Sequence, residues 1–507
     1  MGVCMSREEK IRELIANPPD GYLKPKEDER PPIANEHKTY DYEFYTNNCE
    51  KIAAVVLPHS IGYAPDRLAI IDLDEDSASY CQILCELPLL TTGDEPGRIN
   101  WSRSAPHLED MDATIRNHLI VPCMSSNRIY VIGVDTKSVA YQMFVEKVIE
   151  PSELERRDLS FPYSVHVLPI KGAPIHISTL GDKDGHGKGE FVILDRNSWM
   201  LRNQPTEEEF TCFGGDFSLQ TRRNILISGE WGHPTSIRSG FTISDLENVS
   251  ASFGNRIHIW QISPSKLKQT IELDPAEGCL LTTVRFLHNP DCNHAFACSA
   301  IGSTIFHLHM DSLTEKWTAD KVVQVPTIKV ENWVSSEIPP LLTDLIISMD
   351  DRYMFVAAWL HGTIWQFDIQ DPFKVSLKTK ISIGGLIASN PEIVIKKTTY
   401  MDDPWFLPTF LIFVFWGISF RGGPATMQLS LDGKRLYVSN SIYRPWDTQF
   451  YPEIISSGGQ LIRVDIYASG MEINERFLID MKEKPGGPFL IRDIRFTRGD
   501  STSDNFY

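Results

Sequence analysis

The stretch RLAIID (67–72) recurs down the chain in altered form, as RIYVIGVD (128–135), EFVILD (190–195), RIHIWQ (256–261), TIFHL (304–308), TIWQFD (363–368) and QLIRVD (460–465). Most of these open on a polar residue, alternate β-branched or aromatic residues, and end near Asp, Asn, Gly or Ser, which is a strand signal. Successive starts lie 61, 62, 66, 48, 59 and 97 residues apart. Seven like strands at a spacing near sixty predict seven units of about four strands each, an all-β fold of the seven-bladed β-propeller kind. A second echo points the same way: SMDDRYMFVAAW (348–359) parallels SLDGKRLYVSNS (430–441), each a turn leading into a strand. The plainer alternative is an all-β array whose spacing is fortuitous.

A repeat closed around an axis accommodates a long chain in one domain. We therefore expect a single propeller over 46–507, preceded by a helical or irregular extension over 1–45. The last interval is the longest, so one late unit carries an insertion.

The chain has 507 residues, 42% hydrophobic and 23% charged, enough apolar material for a large core. Its formal net charge of −18 argues against nucleic acid as a partner, since phosphate neutralisation needs a basic face. It equally disfavours electrostatic docking on anionic lipid. Nine cysteines, odd in number and irregularly spaced, do not form a disulfide framework. With no secretory signal pattern at the start, a reducing cytoplasmic setting is the expectation.

The chain begins MGVCMSREEK. Gly2 and Ser6 fit a myristoylation pattern, and Cys4 is placed for palmitate as the second anchor that stable membrane attachment needs. The competing reading makes Ser6 the N-cap of a short helix, REEKIRELIA, with Glu9 completing a capping box.

No phosphate loop, HExxH, CxxC or G-x-S-x-G occurs. The glycine-rich GDKDGHGKGE (181–190) lacks a P-loop ending and reads as a long turn between strands.

Several longer strings are more distinctive: YCQ (80–82), ISTLGDKDGHGKGEFVILD (177–195), ISGEW (227–231), RFLHNP (285–290), LTDLIISMDDRYMF (342–355), WLHG (359–362), GGP (422–424) and QLSLDGKRLYVSNSIYRPWDTQFYPEII (428–455). In collinear order from about residue 60 onward, they resemble the selenium-binding protein / methanethiol oxidase family. The resemblance implies a seven-bladed propeller and a cytosolic oxidoreductase. The family reaction oxidises methanethiol with dioxygen and water to formaldehyde, hydrogen sulfide and hydrogen peroxide, using copper. It also implies that Cys81, in the YCQ motif, is the selenium-binding thiol, and that a small thiol or selenium compound is the ligand.

The departures bear on mechanism. Where the family has a His-His pair before a GWN-C-S-S segment, this chain has GDEPGRINWSRSA (93–105), with Trp101 and Ser104 near the cysteine positions. The first histidine of the family's H-T-S-H string falls on Tyr163 and only the second remains, as His166. The histidine of the C-terminal H-E-[LI]-R-Y-P string falls on Arg492. The missing histidines are those the family would use for copper. Arginine has no lone pair to offer, and its fixed charge repels a cation. The remaining candidates for a site are Cys81, Cys85, His166, Glu230, His288 and His361. Each has a structural reading beside it: buried thiols for the cysteines, hydrogen-bonded core or turn residues for the rest.

The insertion contains WFLPTFLIFVFWGISF (405–420), with no charged side chain. It is short for a membrane span, and a crossing would put two parts of one blade on opposite sides of a bilayer. A buried strand, a lipid-dipping loop, or translated intron sequence at the junction before GGPATMQ (422–428) are the readings left open.

Overall fold

The computed structural model describes residues 50–104, 116–135, 141–168, 172–202, 211–220, 222–242, 249–263, 265–396, 414–415 and 418–503. Gly2, Cys4, the N-terminal extension and most of 405–420 lie outside these.

The seven recurring segments all become the same element. Each falls on the third strand of an antiparallel sheet of three or four strands. The first strands of these sheets, in chain order, are β1 (Asn100–Trp101), β2 (Ser160–Val167), β3 (Phe217–Gln220), β4 (Leu281–Phe286), β5 (Leu342–Ile347), β6 (Thr426–Leu429) and β7 (Arg492–Phe496). The sheet of β7 is assembled from both ends of the chain: β7 pairs with Ile52–Leu57, which pairs with Pro65–Asp72, which pairs with Ile83–Thr92. The fold is thus all-β and propeller-like.

Burial changes from first strand to fourth as the side-chain pattern requires. β4, reading LTTVRF, is buried along its whole length, packed on both faces. The outermost strand of the preceding sheet, KLKQTIE at Lys266–Glu272, alternates exposed and half-buried, with its two lysines and Glu272 in water. Between neighbouring sheets lie apolar layers such as Ile227, Ile257, Leu281 and Val284, so each sheet buries its faces on the next. Gly229 permits one such approach: a Cβ there would stand 2.7 Å from that of Leu281.

The echoed turns are superimposable in their bonding. Ser348 N donates to Tyr353 O and Ser430 N to Arg435 O, both at 2.9 Å. In each, the serine Oγ donates to the aspartate two residues on, Asp350 or Asp432, and accepts the N–H five residues on. The two following strands, Tyr353–Ala358 and Arg435–Ser439, are second strands of successive sheets.

The long interval holds a short hairpin, Val414–Phe415 against Ile418–Ser419, followed by Phe420, buried between β-sheet layers with Met427 and Ile462. Most of the run to which the buried-strand reading applies lies outside the described residues. Among the described residues no helix is long and apolar enough to cross a membrane.

Candidate functional site

Residues at the first strands form a buried layer of paired charges. Arg285 Nη1 lies 2.5 Å from Asp216, Arg98 Nη2 3.0 Å from Asp344, and Arg495 Nη1 2.7 Å from Asp493. The aspartates also clasp the neighbouring sheet by accepting backbone N–H groups. Asp216 accepts from Val284, Asp344 from Met427, and Asp493 from Ile99, the last two at 2.8 and 2.6 Å. Ser164 Oγ of β2 donates to Asp216 at 2.7 Å. Against burial, which alone would raise it, Arg285, the hydrogen bond with His166 and Arg98 hold the Asp216 carboxyl well below the usual range.

A second layer covers this one. Glu95 is fully buried and takes Arg492 Nη1 at 2.7 Å and Arg444 Nη2 at 2.9 Å. Arg492 also donates to Ser441 Oγ at 3.0 Å and lies 3.5 Å from Asp447. Burial raises Asp447 to about 6. Asp66, raised to about 6 by burial and then by Glu95, accepts the N–H groups of His59 and Glu95. Above Tyr163 sits an aromatic lid: Trp231 lies 4.4 Å from the Tyr163 ring and stacks on Trp446 at 5.8 Å. Trp446 is carried by the helix Arg444–Phe450, which starts at Pro445 just inside its first turn.

Tyr163, Arg492 and the loop before β1 meet here. The loop holding Glu95 and Arg98 touches both other positions: Arg492 through Glu95, and Tyr163 through Arg98. Arg98 N donates to Tyr163 O at 2.8 Å and Arg98 Nε to Tyr163 Oη at 3.2 Å. Burial holds the Tyr163 phenol protonated, its pKa raised. Trp101 Nε1 donates to Phe496 O at 2.9 Å, tying β1 to β7.

The other sequence candidates are dispersed. His166 is the one near the centre, its Nε2 3.9 Å from Asp216, and burial lowers its pKa. Glu230 pairs with His258 Nε2 at 3.2 Å and accepts Arg256 N–H at the same distance. His288 lies 3.1 Å from Asp351 and 2.8 Å from Ser501 O, pinning the C-terminal segment. His361 Nε2 donates to Ile338 O at 3.0 Å. Among the described residues, no three His, Cys, Asp or Glu side chains are grouped to hold a metal.

Cys81 is remote from the centre by topology. It ends the turn between the third and fourth strands of the β7 sheet, two or more strand spacings, roughly 10–14 Å, from β7. Its Sγ donates to Arg476 O at 3.7 Å, and burial pushes the thiol up to about 11. Cys85, half-buried opposite Ile70, is also raised by burial.

The charged layer itself escapes the motif reading, although its signal is in the sequence. GDFSL (215–219), TDLII (343–347) and RDIRF (492–496) each place Asp just ahead of, or early in, a first strand.

The sequence profile of the 56 kDa selenium-binding protein family matches residues 41–507. A Caenorhabditis briggsae protein named for selenium binding is 54% identical over 100% of both chains. The methanethiol oxidase of Xenopus laevis is 38% identical over 87% of this chain and 91% of its own, and the human methanethiol oxidase 35% over the same shares. A hypothetical selenium-binding protein of Sulfolobus tokodaii, solved by X-ray methods, superposes with a TM-score of 0.74 at 28% identity, covering 90% of this chain and 96% of that one. The periplasmic gluconolactonase of Pseudomonas aeruginosa, at TM-score 0.53 and 10% identity over 88% and 98% of the two chains, shares the fold alone. The chain belongs to the 56 kDa selenium-binding protein family.

Proposed function

We propose that this chain is a seven-bladed propeller of its family in which copper-dependent oxidation of methanethiol is lost or strongly impaired. On this reading it retains a binding or scaffold role toward small thiols or selenium compounds. The seven-blade reading rests on the seven successive sheets and on first strands that bond to their neighbours, β7 to β1 included. The observation that carries the functional reading is Arg492, set between Glu95 and Asp447 where the resemblance has a copper-ligand histidine. A guanidinium is always charged and has no lone pair to give. Tyr163, at a second such position, is occupied as a hydrogen-bond acceptor for Arg98. This donor set does not fit a copper ion, and no step is derived through one.

Relatives named methanethiol oxidase, at 35–38% identity, supply the reaction to be tested. Full-length protein incubated with copper is assayed for hydrogen sulfide and peroxide release from methanethiol, beside a relative that has all the histidines. Turnover equal to that of the relative overturns the proposal; loss of both products with no bound copper supports it. Selenium retention at Cys81 is tested by comparing selenite-treated protein with a Cys81→Ser variant. Acylation at Gly2 and Cys4 belongs to the same proposal as the route to a membrane, and mass spectrometry of the mature N-terminus decides it.

A further inference from the structure

A cleft of about 890 Å³ lies between the sheets of β3 and β4, within the size range of small-ligand pockets. Its rim comes from turns at one end of these sheets. Arg223 lies in the turn from β3 to its second strand, and Ser263 in the turn from the third strand to the fourth. Lys316 lies in the matching turn of the next sheet, just ahead of the fourth strand Trp317–Gln324. Glu95, Arg444 and Trp446 belong instead to connections that leave a fourth or a second strand. Along antiparallel strands those connections emerge at the opposite ends. The cleft is therefore separate from the central charges.

Hydrogen bonds hold the cleft in shape. Gln269, on the outermost strand of the β3 sheet, donates from Nε2 to Trp317 O at 2.7 Å and accepts the Trp317 N–H at 3.0 Å. One side-chain amide thus stands in for a strand partner and ties the two sheets together. Asn224 does the same for the turn, donating to Ser263 O at 2.7 Å and accepting its N–H at 3.0 Å. Trp260, Met310 and Trp317 give the cleft an apolar wall, and both indoles are packed almost out of water, so the wall is fixed. Around it stand three cations, Arg223, Lys268 and Lys316, against the single carboxylate of Glu315. That balance runs against a chain whose net charge is −18. Arg223 is anchored through Nη2 on Asp291 O at 2.8 Å. Lys268 and Lys316 are exposed, and among the described residues neither enters an ion pair. We propose that this cleft binds a small amphipathic organic anion, its apolar body against Trp317 and Met310 and its carboxylate or sulfonate toward Lys268 and Lys316. An uncharged apolar ligand would gain nothing from the two ammonium groups. An inorganic anion would leave the apolar wall uncovered.

The full-length chain is titrated with anilinonaphthalene sulfonate, an aromatic body carrying one fixed negative charge, by calorimetry and fluorescence. One equivalent is expected at pH 7, bound more weakly as salt is raised. The double variant Lys268→Glu with Lys316→Glu weakens binding by about tenfold or more, because two attractions become repulsions. Both lysines are exposed, so this variant keeps the unfolding temperature of the parent. Phenylnaphthylamine, the same rings without the sulfonate, binds parent and double variant alike, and more weakly than the parent binds the sulfonate. The proposal is overturned if the parent takes up no sulfonate probe, or if the double variant binds it with the parent's affinity. It is equally overturned if the parent holds the neutral probe as tightly as the charged one.

Discussion

Arg492 Nη1 stands 2.7 Å from Glu95 Oε1, and both side chains are out of contact with water. Arg492 begins the C-terminal strand β7, while Glu95 precedes β1, so this pair fastens the last strand of the chain to an early loop. Arg444 joins from the helix that carries Trp446, giving Glu95 a second guanidinium. The chain thus fastens β7 to the loop before β1 with fixed charges.

Breaking that pair from one side should be costly. Arg492→Met leaves Glu95 with Arg444 alone and Asp447 with no guanidinium. We expect a loss of roughly 3–5 kcal/mol, the usual cost of stripping a buried charge of its partner. Adding Glu95→Gln to Arg492→Met should recover a good part of this, because the uncompensated anion is then gone. A double-mutant cycle from urea unfolding measures both. A double-variant loss equal to the sum of the Arg492→Met and Glu95→Gln losses would show that the pair has no energetic link.

The Asp216 clasp makes a sharper case, since one carboxylate serves three sheets. It takes Arg285 and Val284 N from the sheet of β4 and Ser164 from that of β2. Asp216→Asn removes the charge and keeps the shape, leaving Arg285 buried. We expect a loss of roughly 3–5 kcal/mol and faster exchange of the Val284 amide. Because the folded carboxyl is held low, its contribution is present above the ordinary carboxylate range and fades only in strong acid. A variant as stable as the parent throughout pH 7 to pH 4 would refute this.

How much of this was legible in the sequence differs by residue. The third strands announced the fold because they are half polar at their ends and alternate cleanly, as RIHIWQ does. The first strands did not: β1 has only two residues, and β4 is buried on both faces, so neither shows period two. The resemblance drew attention to Tyr163 and Arg492. That Glu95 and Arg98 bridge them depends on contacts 397 and 65 residues apart, which spacing does not encode. His166, Glu230, His288 and His361 stood out as chemical residue types, yet each is satisfied by a local partner, and only packing reveals that.

Acid should weaken the fold through its buried histidines. Burial lowers His176 and His361 to about 4 and His307 to about 3, from 6.5. Below pH 6.5 the unfolded chain therefore binds protons that the folded chain does not, and stability falls as pH drops toward 4. Asp66 and Asp447, raised to about 6, act oppositely, favouring the fold as pH falls from 6 toward 3.8. The histidine shifts are larger and more numerous, so we expect a lower urea midpoint at pH 5 than at pH 7. His361→Gln, whose amide can still donate to Ile338 O, should flatten the slope. An unchanged slope in that variant would assign the acid response elsewhere.

The thiols give the last test. Cys81 is half-buried, hydrogen-bonded to Arg476 O, and raised to about 11, whereas Cys212 is exposed beside Arg256, whose Nη1 lies 3.4 Å from its Sγ. Alkylation proceeds through the thiolate, and a thiol at about 11 is only on the order of one part in ten thousand ionised at pH 7. Iodoacetamide should therefore modify Cys212 at least about tenfold faster than Cys81, read by peptide mass spectrometry over a time course. Raising the pH to 9 should speed Cys81 in proportion to its thiolate. If Cys81 reacts first at pH 7, its thiol is activated in the folded protein, and selenium chemistry there proceeds through a ready nucleophile. If Cys212 leads, any uptake of selenium at Cys81 is limited by its small thiolate fraction and should rise with pH.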